Sequence, residues 1–199
     1  MAVDLGERLM ATTVLSKALK PKFYGREVRG IRRHYAWLRK RLQERKCFST
    51  IKKVGRAERR KVNEVLHKVS RQIVNEAVAN DSVIVLGSLK GIRQLGKGRR
   101  MNRIISNMPY FKLTKYIEYK ALWEGIPVLK INERGTSRTC SRCGSQGRRP
   151  YQGLFICPSC GYQANADFNG TLNILKRSME YISTDGASLT VPEPGRVSA

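Results

Sequence analysis

Acidic residues are scarce in this chain: 15 Asp and Glu stand against 39 Lys and Arg in 199 residues, a formal net charge of +24. A field that positive draws polyanions, so nucleic acid is the expected partner class. A membrane surface is the competing polyanion, but there is no apolar run long enough to span a bilayer and no signal-peptide pattern. A soluble, intracellular protein is expected. Histidine is rarer still, with His34 and His67 isolated on helical segments, which leaves nucleophile-and-base catalysis without support. No phosphate-binding glycine loop occurs either, because Gly96-Lys97-Gly98 is too short to form one. Nucleotide hydrolysis is thereby disfavoured.

Cysteine is limited to five residues, and four of them form a pattern. Cys140-x2-Cys143 and Cys157-x2-Cys160 are two tight turns that can set four thiolates tetrahedrally around one zinc ion, at about 2.3 Å each. A glycine follows each pair, at Gly144 and Gly161, where the backbone turns toward the sulfurs. Two disulfides are the alternative, disfavoured outside a secretory setting. A closed shell of four thiolates leaves no position for water, so this zinc is expected to be structural and any chemistry lies elsewhere. Cys47, the odd one, is expected to be a half-buried small side chain.

Along the chain, residues 2–15 hold two short apolar runs around Gly6-Glu7-Arg8, which predicts a hairpin, and Lys22 to Tyr24 can add a third strand. Helical periodicity follows over 26–46 through Ile31, Tyr35, Leu38 and Leu42, and over 57–79 through Val62, Val65, Val69, Ile73 and Ala77. Residues 17–61 carry 18 Lys and Arg against three glutamates, and Arg29, Arg32, Arg33, Arg39 and Lys40 are candidate phosphate contacts. Val83 to Leu86 reads as a central strand. The basic loop after it supplies Lys90, Arg93, Lys97, Arg99 and Arg100 as further nucleic-acid contacts. Trp37, Tyr35, Tyr110, Phe111 and Tyr116 are mostly expected in the core, although such rings can also stack on bases. A helix between Pro109 and Gly125, a buried strand at 127–131 and a last helix bearing Phe168, Leu172, Leu175, Met179 and Ile182 complete the order. That order is α/β, with two parallel strands joined through a crossover helix.

Val3-Asp4-Leu5-Gly6, the segment GREVRGIRRHYAWLRKRL at 25–42, the strand VIVLG, TSRTCSRCG at 136–144 and CPSCGYQANADFNGTLNIL at 157–175 stand in one order over almost the whole chain. Together they resemble the TnpB (OrfB) proteins of insertion sequences, which are related to compact type V CRISPR effectors. The resemblance implies an RNase H-like (RuvC-type) mixed sheet flanked by helices, formed by 1–135 and 163–182. A zinc ribbon at 136–162 is inserted into it, and a disordered tail follows at 183–199. It also implies a transposon-associated endonuclease acting on DNA in the prokaryotic cytoplasm, close to the nucleoid. In the family, carboxylates from the first strand, a later strand and the last helix hold two Mg or Mn ions that cleave phosphodiesters, a task for hard oxygen ligands. Asp4 and Asp167 match the first and last positions. Relatives carry a further half ahead of the VDLG motif, whereas Asp4 is the fourth residue here. A nuclease half is therefore expected, with a guide RNA and a second chain left open as partners.

The middle carboxylate departs from the family pattern, since Gly87-Ser88 stands where the acid is usual. One reading draws the missing ligand from Glu133, just past the strand at 127–131, because adjacent strands lie only about 4.8 Å apart. Glu76 and Asp81 precede the Val83 strand and should sit at its far end. The other reading is a catalytically inactive DNA- or RNA-binding remnant or repressor.

Overall fold

Alternate residues of the first strand serve two different cores, and this alternation fixes where the site lies. The computed structural model describes residues 1–88, 98, 102 and 108–185. In it, β1 (Ala2–Asp4) sends Val3 into one apolar cluster and Ala2 into another. Period-two geometry then puts Asp4 on the side of Ala2. β1 pairs antiparallel with β2 (Ala11–Val14), which pairs antiparallel with β3 (Pro21–Tyr24). Its other edge runs parallel to β4 (Ile84–Ser88), and β4 runs parallel to β5 (Val128–Asn132). The order β3-β2-β1-β4-β5 makes a mixed α/β sheet, with three parallel strands ending on one rim, as the RNase H-like reading expects.

Helices cover both faces. On one, Leu66, Ile73, Val74 and Ala77 of α2 (Phe48–Ala79) and Leu113 and Ile117 of α3 (Tyr110–Trp123) meet Val3, Ile84 and Leu86, all fully buried or nearly so. α3 is the crossover that the parallel β4–β5 pair requires. The other face is covered by α4 (Ala166–Asp185), whose Ile174 and Leu175 cluster with Ala2, Val14, Val85 and Ile131. α1 (Glu27–Glu44) runs along α2, reaches the first of these cores through Val28 and buries only Val28 and Tyr35. Between β5 and α4 the chain makes a small hairpin, β6 (Leu154–Ile156) with β7 (Gln163–Asn165).

Several expectations are corrected by packing. β5 was expected to be buried, yet only Ile131 is, because the strand ends the sheet order and no described strand pairs with its outer edge. α2 begins at Phe48 rather than Ala57: Ile51 and Val54 pack partly, and the helix runs on through Gly55 despite a cost of about 1 kcal/mol relative to alanine. α4 continues to Asp185, so the expected tail cannot start at 183, and its remainder, 186–199, lies outside the described residues. Met179 and Ile182 sit on turns that have run past the sheet and are exposed. Trp37 and Phe111 are exposed rather than core, while Tyr35 is buried. Cys47 is exposed, on the linker between α1 and α2. Among the described residues no helix is long and apolar enough to cross a membrane.

Ile73 has no solvent exposure, whereas Phe48, at the far end of the same helix, is 64% exposed. Ile73→Ala should destabilise the protein by about 2–5 kcal/mol in urea unfolding. Phe48→Ala should stay within about 0.5 kcal/mol.

Candidate active site and metal centre

The parallel strands set the register of the site. Val3 is paired with Leu86, and Gly87 with Ile131, so Asp4, Gly87 and Ile131 follow one another across the rim on the face covered by α4. Glu133 is two residues beyond Ile131 and shares its face. A side chain at Gly87 has no room: its first carbon would overlap Glu133 Oε2 and lie 2.9 Å from Ile174 Cδ1. The Glu133 carboxyl thus lies over the glycine that stands where a middle acid is usual. A glycine also admits Asp4, because a Cβ on Gly170 of α4 would fall 2.8 Å from Asp4 Oδ2. Asp167 enters from the first turn of α4. Asn165 starts that helix by accepting the Asp167 and Phe168 backbone N–H groups on Oδ1, at 2.9 and 3.1 Å.

Asp4 senses both other acids electrostatically, whereas among the described residues the four cysteines alone form a group of three or more side chains with ligand atoms converged to metal-binding distance. Burial pushes the Asp4 carboxyl up from its ordinary 3.8 to about 7, and the charges of Glu133 and Asp167 push in the same direction. Arg149 and the Leu5 backbone N–H oppose them. Burial raises Glu133 from 4.5 to about 7. Glu133 Oε2 is buried with no hydrogen-bond partner among the described residues, a costly state for a carboxyl oxygen. Asp167 is approached by the Arg149 guanidinium at 3.5 Å. Burial disfavours the charged forms of Asp4 and Glu133, which a cation would offset, and carboxyl oxygens are the donor type that divalent magnesium or manganese takes. Glu76 and Asp81 take no part in this cluster. Glu76 is buried on α2, where it accepts from Tyr24 Oη at 2.7 Å and Thr13 Oγ1 at 3.2 Å and pairs with Lys22 at 2.9 Å.

The four cysteines converge as well. Cys140 and Cys160 Sγ are 3.7 Å apart, Cys143 and Cys157 Sγ 3.5 Å, and all four lie within 4.8 Å of one another. A tetrahedron with 2.3 Å bonds has edges of about 3.8 Å, so the spacing suits one ion and is far too long for disulfides. Each pair closes the same turn: Gly144 N–H donates to Cys140 O at 2.9 Å and Gly161 N–H to Cys157 O at 3.0 Å. Both glycines have positive φ, +80° and +69°. Hydrogen bonds from Ser145 pull the Cys143 thiol well below its ordinary value, toward the thiolate a metal needs. Phe155, fully buried, fills the small core beneath.

A polar stripe on α4, which sequence reasoning missed, joins the two centres. Asn169 accepts the Ser141 N–H at 2.9 Å and donates to Thr139 O at 2.8 Å. Asn173 donates to Thr136 O at 2.8 Å and Thr139 O at 2.7 Å, and Lys176 donates to Ser141 O. Thr136 Oγ1 donates to Glu133 O at 2.8 Å, which closes the path from thiols to carboxyls. The signal was present as polar residues at i, i+4 and i+7 on a helix otherwise read for its apolar face.

The basic candidates divide into two groups. Arg29 pairs with Glu7 at 3.4 Å, and Arg32 and Arg39 share the buried Glu58, so these three are partly neutralised. With Arg33 and Lys40 they line a cavity of about 620 Å³ beside α1 and Met108-Pro109. Lys90, Arg93, Lys97, Arg99 and Arg100 lie outside the described residues.

Comparison with known proteins follows the same lines. Residues 110–174 match the family model described as Cas12f1-like, TNB domain. Over 111 residues the chain is 40% identical to the CRISPR-associated endodeoxyribonuclease Cas12f1 of Sulfoacidibacillus thermotolerans, covering 54% of this chain and 25% of that protein. Over 194 residues it is 27% identical to the TnpB-like protein MJ0751 of Methanocaldococcus jannaschii, covering 90% of this chain and 69% of that one. The chain is a TnpB/Cas12f-related family member. A cryo-EM structure of a Cas12f1-sgRNA-target DNA complex superposes on this TnpB/Cas12f-related fold with a TM-score of 0.71 at 20% identity, over 87% of this chain and 48% of that one. At that identity the shared property is the fold. The chain spans a quarter of the length of the Cas12f1 it matches in sequence.

The raised carboxyls give a signed pH dependence. The folded protein holds protons on Asp4 and Glu133 up to about pH 7, while the unfolded chain releases them near 3.8 and 4.5. Without divalent cations at the carboxyls, their stabilisation is full at low pH and is lost as pH rises toward about 7. Unfolding free energy measured from about pH 5 to about pH 8 should therefore fall more steeply in the wild type than in Glu133→Gln. The slopes should differ by about 1 kcal/mol per pH unit.

Proposed function

We propose that this protein is a metal-dependent nuclease that cleaves DNA phosphodiesters, with Asp4, Glu133 and Asp167 holding Mg or Mn and the four cysteines holding a structural Zn. The observation that carries this reading is the buried Glu133 Oε2, which has no hydrogen-bond partner among the described residues and lies beside an Asp4 raised by both Glu133 and Asp167. A buried acid oxygen left without a donor, among other acids, is matched by a divalent cation better than by any group the chain supplies. Magnesium bound there supplies an activated water and a partner for the leaving oxygen of the phosphodiester.

The chain's own residues account for the rest. Asp4 and Glu133 would lose their protons on taking up a cation, because burial is the largest cause holding each at about 7. Arg149 pairs with Asp167 at 3.5 Å and sets a cation beside that carboxylate. Asn169, Asn173 and Thr136 fix the segment that carries Glu133 against the helix that carries Asp167. DNA as substrate is supported by the description of the matched Cas12f1 as an endodeoxyribonuclease. A guide RNA as partner rests on the described content of the similar Cas12f1 complex. The +24 charge supports backbone contact with either nucleic acid.

The alternative reading, an inactive binder, rests on Gly87, and the position of the Glu133 carboxyl over that glycine weakens it. Labelled single-stranded DNA incubated with magnesium separates the two. Wild-type protein should cut, and Glu133→Gln, which keeps the shape and removes the charge, should cut at least about 100-fold more slowly while binding DNA in calcium as well as the wild type. Tight binding with no magnesium-dependent cleavage by the wild type would establish the binder, and full activity in Glu133→Gln would remove Glu133 from the ligand set.

A further inference from the structure

A second cavity, of about 500 Å³, opens between the β1–β2 turn, β3 and the loop before β6, and Asp167 forms part of its wall. Its size falls within the range of small-molecule sites. Two aromatic rings line it without being buried: Phe23 on β3 is 45% exposed and Tyr151 in the loop before β6 is 65% exposed. Arg8 and Arg26 add two cations to the same lining. The walls are braced across the gap, since Arg8 Nη1 donates to Gln152 O at 3.2 Å and Gln152 Nε2 donates to Glu7 Oε2 at 3.2 Å. The loop is thus held to the turn that follows Asp4.

We propose that this cavity binds one unpaired nucleobase, stacked on Phe23 and Tyr151 with Arg8 and Arg26 on the adjoining phosphates, in the nucleotide next to the bond that is cut. The assignment of the bond rests on the nuclease reading; the base site itself does not. Exposed rings and guanidinium groups around a fixed gap match the flat face and anionic backbone of a single strand. A paired base has its faces covered by its neighbours and its edge engaged, so it must leave the stack before it can enter. With Asp167 in the wall, a seated base brings its own phosphate to the carboxyls. The metal site then acts on strands that are already open.

A short single-stranded oligonucleotide with 2-aminopurine at its centre tests this in calcium, where binding is read without cleavage. Wild-type protein should quench the fluorescence, and Phe23→Ala and Tyr151→Ala should each weaken single-strand binding by about tenfold. Tyr151→Phe should bind as the wild type, and affinity for a blunt duplex should be unchanged in all three variants. Thermal unfolding of the exposed-site variants should match the wild type, so a loss of binding is not a loss of fold. Equal quenching in the alanine variants, or an equal loss for single strand and duplex, overturns the base site. Ring-dependent quenching by a protein that never cleaves in magnesium overturns the nuclease reading and leaves the base site standing. Cleavage at the wild-type rate by the alanine variants does the reverse.

Discussion

The Glu133 carboxyl occupies the room in which a side chain at position 87 would begin, pressed between β4 and Ile174 of α4. That close approach ties three elements together: β4 must be bare there, β5 must deliver an acid two residues past Ile131, and α4 must lie flat enough to cover both. Gly170 repeats the arrangement one strand away by letting α4 approach Asp4. The consequence is electrostatic. Burial raises the Asp4 and Glu133 carboxyls to about 7, so the same packing that shapes the site favours their protonated forms, a cost that the proposed cation would offset.

The thiol centre acts on this site through hydrogen bonds rather than through shared ligands. Asn169, Asn173 and Lys176 hold the backbone of residues 136–141, and Thr136 holds the carbonyl of Glu133. A metal at the four thiolates would stabilise the ribbon as it folds, and this stripe would pass that order to the segment carrying the proposed ligand. The ribbon also reaches the carboxyls from its other end, where Arg149 approaches Asp167 and Gln152 bridges to the turn after Asp4. The cavity with the exposed Phe23 and Tyr151 lies beside this bridge and has Asp167 in its wall.

Much of this was legible in the residues. The order of elements along the chain and one parallel pair followed from three short runs, a continuous apolar run and a crossover helix, the sheet itself from the family resemblance, and the thiol cluster from spacing alone. The adjacency of Glu133 to Gly87 was inferred from the fold that the resemblance implies, which sets the strand at 127–131 beside Val83 to Leu86, and needed no side-chain information. What escaped had physical reasons. The edge position of β5 depends on what lies beyond it, which its apolar sequence does not encode. The first turns of α2 carry little periodicity and are held by α1. Trp37 and Phe111 follow helical spacing yet fall on faces left exposed among the described residues. Arg149 and the Asn169–Asn173 stripe matter only because the ribbon folds back on α4, a long-range contact that no local pattern reports. The basic loop after β4 lies outside the described residues, so the phosphate contacts proposed for it rest on its charge.

The claim at the centre of this account is that Glu133 serves where a middle acid is missing. Crystals of the wild-type protein grown with manganese would test it most directly through the anomalous signal of the ion. The account predicts manganese beside Asp4 and Asp167 with a Glu133 oxygen in its coordination shell. Manganese bound to the two aspartates with Glu133 turned away, or no manganese at the rim of the sheet at saturating concentration, would contradict it.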